Sequence, residues 1–143
     1  MTPEQLGTAV LSFAAWSVAG LIALFISRVA YKFVTPFDPV KELVEDRNVA
    51  VGVSHGLFVI SAGILLHGII SGEKLPIPWW QEGLYMFGLF IGGLVFLWLG
   101  RIALNLLISF DLNDEIHVHD NTAVGILEGC CYVGFAIIVH AAL

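Results

Sequence analysis

Four stretches of this chain are too apolar and too long to suit anything but a bilayer. Leu6–Ser27 and Gly83–Gly100 carry no charged residue, and the apolar pattern of the latter resumes after Arg101. Val49–Ser71 has two histidines as its only ionisable groups, and Thr122–Leu143 has one glutamate and one histidine. Each supplies the ~20 residues that cross a ~30 Å hydrocarbon core at 1.5 Å rise. Lipid offers the backbone no hydrogen-bond partner, so runs of this length fold as helices. One such run would fit a buried helix of a soluble domain; four in 143 residues do not. Charged residues make up 13% of the chain, where soluble domains carry about 25%. The mean hydropathy is +0.90.

The chain also repeats itself. Shifted by 73 positions without a gap, residues 101–143 match residues 28–70 at 12 of 43 positions, where chance gives roughly 3 or 4. Arg101 falls on Arg28, Phe110-Asp111 on Phe37-Asp38, Glu115 on Glu42 and Asn121 on Asn48. Gly125 falls on Gly52, Gly129 on Gly56 and His140 on His67. The expected fold is therefore an all-α integral membrane protein. Its four transmembrane helices form two parallel-repeat helical hairpins with short amphipathic connectors. The first unit covers residues 1–72, with spans at about 5–32 and 48–71. The second covers 81–143, with spans at about 82–108 and 121–143.

Local signals place the ends. Thr2-Pro3-Glu4-Gln5 reads as a capping box, and no basic segment or cleavage site marks a signal peptide, so the first helix is expected to be retained. Pro36 stops the first span and Asp38-Pro39 starts a short helix with Val40, Leu43 and Val44 on one face. Asn48 and Asn121 stand where caps of the even spans belong. Arg28, Lys32, Lys41, Arg47 and Arg101 gather at the odd-to-even connectors against Lys74 opposite, which puts the connectors in the cytoplasm and both termini in the periplasm. Trp79-Trp80 suits the outer aromatic belt. The net charge of −6 argues against nucleic acid.

The even spans carry small-xxx-small patterns at equivalent places, Gly52 with Gly56 and Gly125 with Gly129, and the third span adds Gly88, Gly92 and Gly93. These predict close helix packing, with spans two and four crossing near Gly56 and Gly129. The doubled Asn-x-Ala-x-Gly motif (Asn48 to Gly52, Asn121 to Gly125) resembles the YjfL-like bacterial inner-membrane family, across essentially the whole chain. The resemblance implies four spans, an inner-membrane location and no assigned activity. The chain departs from that family's pattern at His55 and Glu128, where small or apolar residues are expected.

Ionisable groups inside the spans are the candidate sites. Glu128 lies about 10 Å into its helix, where a carboxylate is costly and faces protein or water. Its repeat partner is His55, so the two are expected to face each other or a shared polar cavity. That arrangement fits a proton or ion relay, an interhelical hydrogen bond, or a contact between subunits. His67 and His140, paired near the outer ends, fit interfacial hydrogen bonds or the ligation of haem, zinc or copper. His117 and His119 would share a side if extended and are weak metal candidates in a solvated acidic connector. Arg28 and Arg101 are expected to snorkel or to pair with Asp38 and Asp111. Cys130 and Cys131 read as packing residues.

No nucleophile motif, phosphate loop or dinucleotide fingerprint occurs, so no enzyme and no cofactor are expected, with haem or metal as the alternative. The expected function is a structural or interaction subunit in the lipid bilayer that forms a homo-oligomer or joins a larger membrane complex. A proton- or ion-conducting oligomer using Glu128 and His55 is the alternative, and an electron carrier using His67 and His140 is a second.

Overall fold

A computed structural model describes residues 2–72 and 75–143. Lys74 lies outside the described residues. The element order is α1 (Pro3–Val34), α2 (Pro39–Val44), α3 (Val49–Ser71), α4 (Trp79–Leu107), a π-helical turn (Asp114–Val118) and α5 (Thr122–Ala142). Four of these helices, α1, α3, α4 and α5, are long and apolar enough to cross a membrane.

The helix ends follow from local chemistry. Thr2 accepts from the Gln5 amide at 3.2 Å, and Gln5 Oε1 accepts from the Thr2 amide at 2.9 Å. Two of the orphan donors of the first turn are satisfied this way. At the other end of α1, Thr35 is extended ahead of Pro36, and its hydroxyl donates to the Tyr31 carbonyl at 3.0 Å. Asp38 Oδ1 accepts from the Val40 amide at 3.0 Å and starts α2. Asn48 Oδ1 accepts from Val51 at 2.8 Å at the start of α3. Asn121 Oδ1 accepts from Val124 at a longer 3.4 Å at the start of α5. Just before each asparagine the chain turns through a positive φ, 56° at Arg47 and 51° at Asp120. The turns bring the Asn48 amide to the Glu42 carbonyl and the Asn121 amide to the Glu115 carbonyl, both at 2.9 Å.

α3 and α5 form the most extensive helix contact, with α1 on α3 and α4 on both. Phe58 and Tyr132 meet edge to face across the α3–α5 contact, with centroids 5.0 Å apart. α1 is mostly unpartnered: Leu11, Phe13 and Phe33 are exposed, and only Ala23, Ser27 and Tyr31 are buried. At 32 residues it is about 48 Å long, well beyond a ~30 Å hydrocarbon core.

The glycines sort differently from the expectation. α3 and α5 come closest at Gly125, where a Cβ would overlap the Ala50 backbone. Gly129 receives the Leu57 side chain, whereas Gly56 has open space. The tightest approach is therefore a turn nearer the connectors than a Gly56–Gly129 crossing would put it, because Gly56 faces away from α5. Gly52 lies against Leu43 Cδ2. On α4, Gly88 and Gly92 are open, and the helix instead admits Leu65 at Gly93 and Phe135 at Gly100.

In α2 the apolar Val40, Leu43 and Val44 are exposed, while Glu42 is turned inward. The second connector, expected as a solvated loop, winds into the π turn because Leu112 and Ile116 anchor it in a core with Phe37, Ala50 and Val51.

A buried polar cluster where the spans converge

Glu128 is fully buried and holds together four elements. Its Oε1 accepts from Arg101 Nε of α4 at 2.5 Å, and its Oε2 accepts from the Ser54 hydroxyl of α3. Ser54 in turn accepts from the Tyr31 hydroxyl of α1 at 3.0 Å. Arg101 extends the cluster to the second connector, donating from Nη2 to Asn113 Oδ1 at 2.7 Å. In a medium that cannot solvate charge, a carboxylate and a guanidinium need each other and further hydrogen bonds. Glu128 has both. One hydroxyl remains: Tyr132 Oη is buried without a hydrogen-bond partner among the described residues.

His55 does not face Glu128 directly. Its ring lies parallel to that of Tyr31, with centroids 4.5 Å apart and planes 7° apart. The link between them is the Tyr31 hydroxyl and Ser54. Arg101, expected to snorkel or to meet Asp111, is buried on Glu128 instead. The reason is geometric. Arg101 lies six residues inside the end of α4 and Glu128 six residues inside the start of α5, so antiparallel neighbours bring them level. Among the described residues Arg28 has no such partner, and it stays exposed, while Lys32 bonds to Asp38 at 3.0 Å. That hydrogen bond and the Val40 amide hold the Asp38 carboxyl below its ordinary pKa.

A second polar layer ties the connectors. Asn48 Nδ2 donates to Glu42 Oε2 at 3.2 Å and to the Ile116 carbonyl at 2.8 Å, so it braces the second connector from the first. Glu42 Oε1 meets His117 Nδ1 at 2.8 Å, and the His117 ring packs on Phe37. In the other half Asn121 Nδ2 donates to Glu115 Oε2 at 2.7 Å, and His119 lies 3.6 Å from Glu115 Oε1. His117 and His119 thus go to different carboxylates. The π turn removes the extended geometry that would have put them on one side. Among the described residues no three metal-ligating side chains come together.

His67 and His140 meet at the far ends of α3 and α5, with Nδ1 and Nε2 3.0 Å apart. Their centroids are 5.3 Å apart and the planes 11° apart. That centroid distance is what two ring radii add to the nitrogen contact, so the rings point nose to nose and nearly share a plane. One imidazole donates to the other, and the tautomers follow from which one does. Opposed across one metal, as axial ligands are, the two nitrogens would have to stand about 4 Å apart, about 1 Å further than here, and a tetrahedral metal would need about 3.3 Å with the rings turned off this line. Gly68 makes the meeting possible, since a Cβ there would lie 3.0 Å from His140 Cδ2.

Ser54, Tyr31 and Asn113 have no polar-site signature in the sequence. Only Arg101 carried one usable signal, as a charge inside an otherwise apolar run that requires a counter-charge at the same depth.

A family model described as a domain of unknown function, DUF350, matches residues 5–143. The chain belongs to this DUF350 family. No curated protein and no solved structure matches it.

Proposed function

We propose that this DUF350 protein is an inner-membrane scaffold subunit that self-associates, or joins a larger membrane complex, through α1 and the lipid-facing side of α4. We infer a duplicated two-span unit, with the connectors on the cytoplasmic side and both termini in the periplasm. The observation that carries the reading is the contrast between saturated and open surfaces. Among the described residues the buried polar side chains have hydrogen-bond partners inside the protein, with the Tyr132 hydroxyl as the exception, whereas α1 is exposed along most of its length. Gly88 and Gly92 present open backbone on α4, and Gly7 and Gly20 do so on α1. Such surfaces suit backbone-close helix association in lipid.

Mass measurement in mild detergent tests this. The unaltered chain is expected as an oligomer, and Gly88→Leu with Gly92→Leu as a monomer of unchanged melting temperature. A chain that is monomeric at every concentration and binds no partner subunit overturns the reading.

A second reading, proton or ion conduction, draws on the run of hydroxyls from Tyr31 through Ser54 to Glu128. Its test is flux across proteoliposomes with Tyr31→Phe, which removes the hydroxyl and keeps the ring. Conduction requires flux in the unaltered protein that this change abolishes. The Arg101 ion pair, which commits the Glu128 side chain to a partner on α4, favours the scaffold reading.

A further inference from the structure

Arg28 and His55 occupy the places, 73 residues earlier, of Arg101 and Glu128. In the later pair the arginine is neutralised inside the protein. In the earlier pair the carboxylate is replaced by an imidazole, and among the described residues no acidic side chain forms an ion pair with Arg28. Arg28, Lys32 and His55 instead line one pocket of about 290 Å³, whose remaining wall includes Phe25, Val29 and Val40. Arg28 lies six residues before the end of α1, about 9 Å by helical rise, at the level where a long basic side chain reaches the headgroups. Lys32 is half-committed to Asp38 at the exposed rim, so the pocket holds an unmatched positive charge.

We propose that this pocket binds the phosphate of an anionic glycerophospholipid, with an acyl chain along Phe25 and Val29. Three features point to that ligand. The planar guanidinium matches two phosphate oxygens at once. The wall beside the cations is apolar, and its Phe25 and Val29 are exposed. The site lies where anionic headgroups are concentrated and basic pockets between spans recruit them. The inference rests on the helices crossing a bilayer with the connectors on the cytoplasmic side, and not on the scaffold role. The lipid supplies from outside the counter-charge that Glu128 supplies from inside in the other half.

The test is native mass spectrometry of delipidated protein in detergent, titrated with phosphatidylglycerol or phosphatidylcholine. The unaltered chain is expected to retain phosphatidylglycerol preferentially. Arg28→Gln is expected to lower that retention about fivefold or more, with Lys41→Gln, outside the pocket, as the unchanged control. His55→Glu gives Arg28 an internal carboxylate and is expected to expel the lipid too, so the proposal stays testable if Arg28→Gln fails to fold. Equal retention of the two lipids by the unaltered protein overturns the proposal, as does unchanged retention in both pocket variants. Displacement of the lipid by millimolar inorganic phosphate overturns the lipid source and assigns the pocket to soluble phosphate. A chain that stays soluble without detergent and binds neither lipid fails the membrane reading itself, a result distinct from equal retention.

Discussion

Arg28 and Arg101 stand 73 residues apart, each six positions from the end of its helix, yet one is exposed and the other buried. Around Arg101 the chain supplies its own partners: Glu128 faces it, Ser54 and Tyr31 support Glu128, and Asn113 accepts from Nη2. Around Arg28 it has left a pocket with a half-buried imidazole. Histidine against glutamate at 55 and 128, with Val40 against Asn113, separates a helix staple from an open cationic site. The connectors show the same divergence more mildly. Asn48 and Asn121 both bond a glutamate six residues back, yet only Asn48 reaches across to the other connector.

The comparison breaks most visibly at Glu128. Glu128→Gln keeps the shape and strands a buried guanidinium, so it is expected to cost about 3–5 kcal/mol of stability in detergent. His55→Gln, at the equivalent place, is expected to stay within about 1 kcal/mol, because no ion pair is lost. Chemical unfolding of both variants measures the gap; equal losses would erase the distinction between the halves.

The glycines give the next largest contrast, and it reverses sign. Gly129→Ala forces its methyl into Leu57 and is expected to destabilise by about 1–3 kcal/mol. Gly56→Ala adds a methyl in open space and is expected to stabilise the helix by up to about 1 kcal/mol. Thermal melts of the two variants decide it. A loss at Gly56 would mean that another chain covers that face.

Smaller effects sit at the two turns. Arg47 and Asp120 both hold a left-handed backbone, which aspartate tolerates better than arginine. Arg47→Gly is expected to raise stability by about 1 kcal/mol and Asp120→Gly by less, read from unfolding midpoints. The smallest effect is at Asp38, whose carboxyl is held below its ordinary pKa chiefly by Lys32. A lowered folded pKa means a contribution present above the ordinary carboxylate pKa and lost as pH falls through the folded value. Both partners are exposed, so only a slight acid loss is expected, and Asp38→Asn should remove it from a stability–pH profile.

Much of this architecture is legible in the residue order, and the reason is the solvent. Lipid forces long uncharged runs to be helices, so α1, α3, α4 and α5 can be read from charge spacing alone. The Thr2–Gln5 box is legible because its partners are three residues apart. Glu128 declares itself through the cost of burying it. Its partner does not, because Arg101 is 27 residues away on a different helix and meets it only once α4 and α5 are antiparallel. Ser54 and Tyr31 look like ordinary members of apolar faces. On α4 the sequence marks Gly93 but not Gly100, and does not separate Gly93 from the open Gly88 and Gly92, because the difference is only in which side of the helix each occupies.

The central claim is that Arg101 and Glu128 act as one unit that clamps the second half shut. A double-mutant cycle with Arg101→Met and Glu128→Leu, followed by unfolding free energy in detergent, tests it most directly. Each single change is expected to lose about 3–5 kcal/mol, and the double variant to recover most of that, because no charge is left unpaired. Losses that add to within about 0.5 kcal/mol would contradict the account and make the two halves alike.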